Sequence, residues 1–195
     1  MKVLAISGSP SRPSRTSKLI DRIASLLGEQ DIETSQVSIY DFPADALIQA
    51  DFSHAAIKRF QQQVRDADGI IIASPVYKAA YAGALKVMLD LIPEGGFAGK
   101  PVLPLVSGGS AGHLLAVDYA IKPVLAALKA SDIHQGVFAI DAQIGSSADG
   151  HATLAEELDT RLRQAAQDFV GQLPSSPRQQ PPALDLHSVV SRISL

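Results

Sequence analysis

Val3-Leu4-Ala5-Ile6 runs straight into Ser7-Gly8-Ser9-Pro10-Ser11-Arg12-Pro13-Ser14-Arg15-Thr16-Ser17, and that loop opens onto Leu19-Ile20, Ile23 and Leu26-Leu27. An unbroken apolar run, with no polar alternates, suits a strand covered on both faces. The spacing that follows suits a helix with one apolar stripe. The pattern recurs along the chain. Ile70 to Ala73 is again continuously apolar, and further short runs lie at Val37 to Ile39, Val102 to Val106 and Val137 to Ile140. Ile57, Phe60 and Val64 keep helical spacing between two of these runs, and Leu154, Leu158 and Leu162 keep it after the last.

Strands that alternate with helices predict an α/β fold, a doubly wound parallel sheet with helices on both faces. For five strands the flavodoxin-like order 2-1-3-4-5 fits, and ligands then sit beyond the carboxyl ends of strands 1, 3 and 4. The unusual loops fall at those ends: Ser7-Gly8-Ser9-Pro10, Ser74-Pro75-Val76-Tyr77 and Ser107-Gly108-Gly109-Ser110. The chain of 195 residues is long enough for one such domain, read here as residues 1–173. Residues 174–195 read as a Pro-rich C-terminal extension; Pro174-Ser175-Ser176-Pro177-Arg178-Gln179-Gln180-Pro181-Pro182 has a composition that cannot hold a helix.

Composition removes several functions. A formal net charge of −3 gives no basic field for a nucleic acid, so a small molecule is the expected partner. Cysteine is absent, which rules out disulfides, thiolate metal sites and a cysteine nucleophile. No stretch reads as a bilayer span or a signal segment, and the expected location is the cytoplasm. His54, His113, His134, His151 and His187 are scattered, and no metal site is expected. His113 alone falls near the three loops, where capping or packing accounts for it.

The first loop carries five serines, a threonine and two arginines ahead of a helix. Free N–H groups of a helix N-terminus, hydroxyl donors and a guanidinium fork together suit an anion. A plain reading competes with this one: a Ser/Pro-rich cap with solvated arginines. Neither the Gly-Lys-Ser/Thr of nucleotide-hydrolysing loops nor Gly-x-Gly-x-x-Gly is present, so a single phosphomonoester fits better than a polyphosphate. The acidic cluster of a phosphorylation receiver is missing too. In the second loop Pro75 stiffens the turn, Tyr77 offers an aromatic face, and Gly83 permits close backbone approach. Tyr77 and Tyr81 would equally well cap the edge of the core. The third loop offers amide donors at Gly108 and Gly109 without side-chain obstruction, although a double glycine also marks an ordinary turn.

Gly8-Ser9-Pro10 through Ser17, Pro75-Val76-Tyr77-Lys78-Ala79-Ala80-Tyr81 through Lys86, and Ser107-Gly108-Gly109 through His113-Leu114-Leu115-Ala116-Val117-Asp118-Tyr119 resemble the NADPH-dependent FMN reductase family. Within it they are most similar to the reductase component of two-component alkanesulfonate monooxygenases. The likeness runs to about Asp141 and loosens in the last helix. It implies that Ser9, Ser14, Arg15, Thr16 and Ser17 hold the FMN phosphate. It also implies that Pro75, Val76 and Tyr77 flank the isoalloxazine and that Ser107, Gly108 and Gly109 bond its pyrimidine edge. Many relatives carry an arginine where this chain has Ser11, which leaves Arg12 and Arg15 as the two candidate phosphate cations.

The resemblance implies an NAD(P)H-dependent oxidoreductase in which NADPH, or NADH, reduces FMN directly, so that no catalytic side chain is required. Alignment of two rings supplies much of the acceleration. In that branch reduced FMN leaves for a partner monooxygenase serving sulfur assimilation. An FMN-retaining quinone or azo-dye reductase is the first alternative, and a flavodoxin-type electron carrier the second. Leu114 through Leu128 is apolar on nearly every side, which predicts a homo-oligomer, a tetramer by resemblance. Pro123 removes a helical N–H, which predicts a kink or π-turn near Tyr119 and makes Tyr119 and Pro123 candidate interface or regulatory positions.

Overall fold

A computed structural model describes residues 1–146 and 152–175. Five central segments build a parallel sheet: β1 (Lys2–Ser7), β2 (Glu33–Ser38), β3 (Gly69–Tyr77), β5 (Pro101–Gly108), and a fifth line divided into β6 (Asp132–Ile133) and β7 (Val137–Ile140). The order is β2-β1-β3-β5-β6, with β7 also on β5 and the two-residue β4 (Ala80–Tyr81) turning back on β3. Allowing for β4 and the divided strand, this is the expected 2-1-3-4-5 arrangement. The helices are α1 (Arg15–Gly28), α2 (Ala44–Ile48), α3 (Ala55–Asp66), α4 (Gly83–Leu89), α5 (Lys122–Ala127) and α6 (Glu156–Gln172).

The continuous apolar strands are explained by what covers them. Successive strand residues point to opposite faces. Leu4, Ile6, Ile70, Ile72, Val102 and Val106 therefore meet α3, α4 and α5 on one side. Val3, Ala5, Ile71, Ala73, Leu103 and Leu105 meet α1 and α6 on the other. Each fully buried aliphatic side chain stabilises the fold by about 1.5–3 kcal/mol, so two such layers secure the central strands. Register pairs Ser7 with Ala73, Pro75 with Ser107 and Gly108 with Ile140, which brings the carboxyl ends of β1, β3, β5 and β7 to one edge.

The division of the fifth strand has a cause in its neighbour. Pro104 lies mid-strand in β5, opposite the gap between β6 and β7. His134 N–H donates to the Val102 carbonyl. Groups two residues apart on a strand face the same side, so Pro104 lacks its N–H on the side where β6 and β7 pair. The chain bends away at Gly136, whose φ is +82° and where a Cβ would meet the Pro104 carbonyl oxygen at 2.8 Å.

Four expectations need correction. Ile39 belongs not to β2 but to a 3-10 turn, Ile39–Asp41, and the helix that the sequence predicts over Leu85 to Leu91, after Gly83, is α4, which starts at Gly83 and ends at Leu89. Leu154 lies in β9 (Ala152–Leu154), paired antiparallel with β8 (Ile144–Ser146), because α6 starts only at Glu156. The apolar stretch from Leu114 to Leu128 is not one helix. It follows a 3-10 turn at Ala111–His113 and is divided into a π-turn at Val117–Ile121 and α5, with the Lys122 N–H donating to the Val117 carbonyl. Tyr119 sits within the π-turn, four residues before Pro123, whose missing N–H leaves the Tyr119 carbonyl without its α-helical donor. Residues 176–195 of the Pro-rich extension lie outside the described residues.

Candidate functional site

A cleft of about 430 Å³ opens at the carboxyl edge of the sheet. Its first wall is the loop from β1 to α1. Ser14 caps α1, its hydroxyl accepting from the Ser17 N–H at 3.0 Å. The Ser9 hydroxyl accepts from the Ser11 N–H at 3.2 Å, which folds the loop over the helix N-terminus. Ser9, Ser11, Ser14, Arg15, Thr16 and Lys18 all line the cleft at this end. Hydroxyls, the first-turn amides of a 14-residue helix and two cations converge there, a donor set made for an anion.

A second wall is largely apolar. β3 carries Pro75, Val76 and Tyr77 to the rim, and Tyr77 is exposed. The strand turns back through Lys78 (φ 51°) and Ala79 (φ 64°), two non-glycine residues in the left-handed region, as a two-residue hairpin requires. The Ser74 hydroxyl accepts from the Ala82 N–H at 2.9 Å and donates to the Pro75 carbonyl at 2.9 Å, which locks the loop behind the wall. Gly108 and Gly109 complete the cleft from the end of β5. A Cβ at Gly109 would meet no protein atom within 4 Å, whereas at Gly108 it would press on Phe138 at 3.0 Å.

Ser9, Ser14, Arg15, Thr16, Pro75, Val76, Tyr77, Ser107, Gly108 and Gly109 thus come together around one cavity. Ser17 does not line it. Its hydroxyl lies 2.8 Å from that of Ser14, and it faces a neighbouring hollow with Arg12, Ser38 and Tyr40. Arg12 is held there, its guanidinium 4.0 Å above the Tyr40 ring. Arg15 is therefore the arginine on the cleft. Thr16 and Ser107 use one hydroxyl bond each on one another, at 3.1 Å and buried, and so pin α1 to β5. At Gly83 a Cβ would meet no protein atom within 4 Å, so no neighbouring element requires a glycine there.

Sequence reasoning missed the residues that shape the cleft from a distance. A Cβ at Gly8 would stand 2.4 Å from the Leu85 Cβ, so Gly8 lets α4 pack against the end of β1. Asp141, Ile144 and Gly145 line the cleft from the segment after β7. No local motif marks them; only the sheet order brings them in. Asp141 lies 3.4 Å from an Arg15 guanidinium nitrogen, and the Lys18 ammonium donates to the Gly145 carbonyl at 2.7 Å. His113 does not reach the cleft, and His134 packs edge-on to Phe169, where burial pushes its pKa down. Among the described residues no cluster of three or more His, Asp or Glu could hold a metal ion. Nor is any helix among them long and apolar enough to cross a membrane.

The family model for NADPH-dependent FMN reductases matches residues 1–145, most of the chain. The chain belongs to that family. An FMN reductase (NADPH) of Escherichia coli (strain K12) is 47% identical over 171 residues, covering 87% of this chain and 88% of the relative. An NADH-dependent FMN reductase, SfnF, of Pseudomonas fluorescens (strain Pf0-1) is 35% identical over 86% of this chain and 89% of its own length. Among solved structures, the apo form of the NADH:FMN oxidoreductase EMOB superposes with a TM-score of 0.80 at 35% identity, covering 94% of this chain and 98% of that one. As a member of the NADPH-dependent FMN reductase family the chain is an oxidoreductase working with FMN and a nicotinamide nucleotide. The cleft fits FMN in kind: an anion cradle at one end, an apolar wall with an aromatic ring at the other, and unobstructed amides between.

Proposed function

We propose that this chain is an NAD(P)H:FMN oxidoreductase that binds FMN in the cleft with its phosphate on the N-terminus of α1. The convergence of hydroxyls, helix amides and Arg15 at one end of the cavity carries this reading. Bound FMN would supply the electron acceptor for the nicotinamide. The protein's own work is binding and alignment. Ser9, Ser14 and Arg15 would hold the phosphate, Gly108 and Gly109 would offer N–H donors to the ring edge, and Pro75, Val76 and Tyr77 would fix its plane. Thr16 and Ser107 act behind them as positioning residues.

FMN is read as a substrate that leaves reduced for a partner monooxygenase of the alkanesulfonate type, with NADPH preferred and NADH an alternative donor. The openness of the Arg15 side chain, 55% exposed, supports exchange over permanent retention. The exposed Leu114, Leu115 and Tyr119 support a homo-oligomer, a tetramer by family likeness, with Tyr119 and Pro123 at its interface. An FMN-retaining quinone or azo-dye reductase differs in one measurement. For protein purified without added flavin, NAD(P)H oxidation is expected to saturate with free FMN; flavin that co-purifies in full occupancy favours the retaining enzyme. NAD(P)H oxidation that does not occur with FMN leaves the electron carrier. Arg15→Ala is expected to weaken FMN binding by about tenfold or more while barely moving the melting temperature, since a charge-assisted contact is worth roughly 1.5–3 kcal/mol and an exposed arginine little. An unchanged FMN affinity would transfer the phosphate to Arg12 or to the hydroxyls.

A further inference from the structure

Asp141 is the only carboxylate among the described residues that line the cleft, and it stands at the end built for an anion. It follows β7 directly, as the first residue of a short 3-10 turn, Asp141–Gln143. Its carboxylate lies 3.4 Å from the Arg15 guanidinium, with side-chain exposures of 38% and 55%. A pair so open to solvent contributes little to stability and can be parted by a competing anion. The first turn of α1 carries no acidic residue of its own, and the carboxylate that faces Arg15 comes from this neighbouring segment. Lys18, one turn further on, is likewise turned to that segment through the Gly145 carbonyl.

A phosphate dianion arriving at α1 would have to draw Arg15 away from Asp141. It would then remain close to an uncompensated carboxylate. Both effects weaken binding of the phosphate and leave binding of the flavin ring untouched. We infer that Asp141 is a positioning residue that acts through Arg15 to loosen the site's hold on the FMN phosphate, keeping the flavin exchangeable. The inference rests on the proposed placement of FMN and adds to it the means by which FMN stays a substrate.

The test compares FMN with riboflavin, which shares the ring and lacks the phosphate, by titrating flavin fluorescence against the parent, D141N, D141A, D141E and R15A. D141N and D141A are expected to raise the ratio of FMN to riboflavin affinity by about three- to tenfold, the effect of removing one charge from beside a dianion in a half-solvated cleft. Riboflavin affinity stays at the parent value, D141E keeps the parent ratio, and the gain shrinks at high salt because exposed charges are screened. A ratio that is unchanged or lowered in D141N and D141A, with R15A lowering it, overturns the role of Asp141 alone. If R15A leaves the ratio at the parent value, Arg15 does not hold the phosphate, which then passes to Arg12 or the hydroxyls, and the role of Asp141 through Arg15 falls with it.

Discussion

At the scale of single residues, the cleft depends on two contacts with no chemistry of their own. The buried bond between the Thr16 and Ser107 hydroxyls ties the phosphate loop to the third loop. Gly8 does the same for the first and second loops by admitting Leu85, and its N–H donates to the Ala73 carbonyl at 2.7 Å. A methyl group at Gly8 would collide with the Leu85 Cβ and crowd its Cα at 3.1 Å, atoms that no rotamer change can move. Gly8→Ala is therefore expected to destabilise the protein by about 1–3 kcal/mol, the usual cost of overpacking a core. It should also weaken FMN binding, because α4 must shift. Thermal melting and flavin titration of the variant check both, and a melting curve matching the parent's would contradict the packing argument.

At the scale of elements, the orientation of α1 decides where the phosphate cradle points. Its inner face buries Leu19, Ile20, Ile23, Leu26 and Leu27 against the sheet and α6. Its flank is fastened by Arg22, whose guanidinium donates to both carboxylate oxygens of Asp159 on α6, at 2.6 and 3.2 Å. Arg163 adds a further bond to Asp159 at 2.8 Å. These hydrogen bonds hold the Asp159 carboxyl below the usual carboxylate range. A carboxyl whose pKa is lowered by folding stabilises the protein above its unfolded pKa, about 3.9, and that contribution is lost as pH falls through the folded value. Asp159→Asn is expected to cost about 1–2 kcal/mol at neutral pH, as for a partly exposed bidentate pair. Urea midpoints of parent and variant should converge as the pH falls below the usual carboxylate range; a gap that stays constant as the Asp159 carboxyl protonates would exclude the ion pair as the cause.

At the scale of the whole molecule, several large apolar side chains of the segment after β5 stand open to solvent. Tyr119 is 78% exposed, and Leu114, Leu115 and Tyr77 are exposed as well. Val117, Ile121 and Leu125 already pack inward, and among the described residues nothing covers the outward Leu114, Leu115 and Tyr119. Exposed aromatic and leucine side chains close in sequence are the basis for proposing an interface between copies of the chain here. Sedimentation of the parent is expected to show an oligomer, and Leu115→Asp to shift it toward monomer with the fold intact. A parent that sediments as a monomer at micromolar concentration would sink the proposal.

The parallel sheet and the order of its five main lines were legible in the sequence because burial on both faces leaves an unbroken apolar run, visible at Val3 and Ile70 without any neighbour in view, whereas β4, the division of the fifth line and the β8–β9 pair were not. The three loops were legible too, since a doubly wound sheet must carry its ligand at the carboxyl ends of those strands. Irregularity at Tyr119 followed from Pro123 by the loss of one N–H. What depends on a partner distant in the chain was not legible. Pro104 interrupts a strand more than 28 residues later, Gly8 makes room for Leu85, and Asp141 reaches Arg15 across the first and last segments of the sheet. Local pattern records which face of an element is apolar, but a collision or a counter-charge exists only once two elements meet, and that meeting belongs to the tertiary structure.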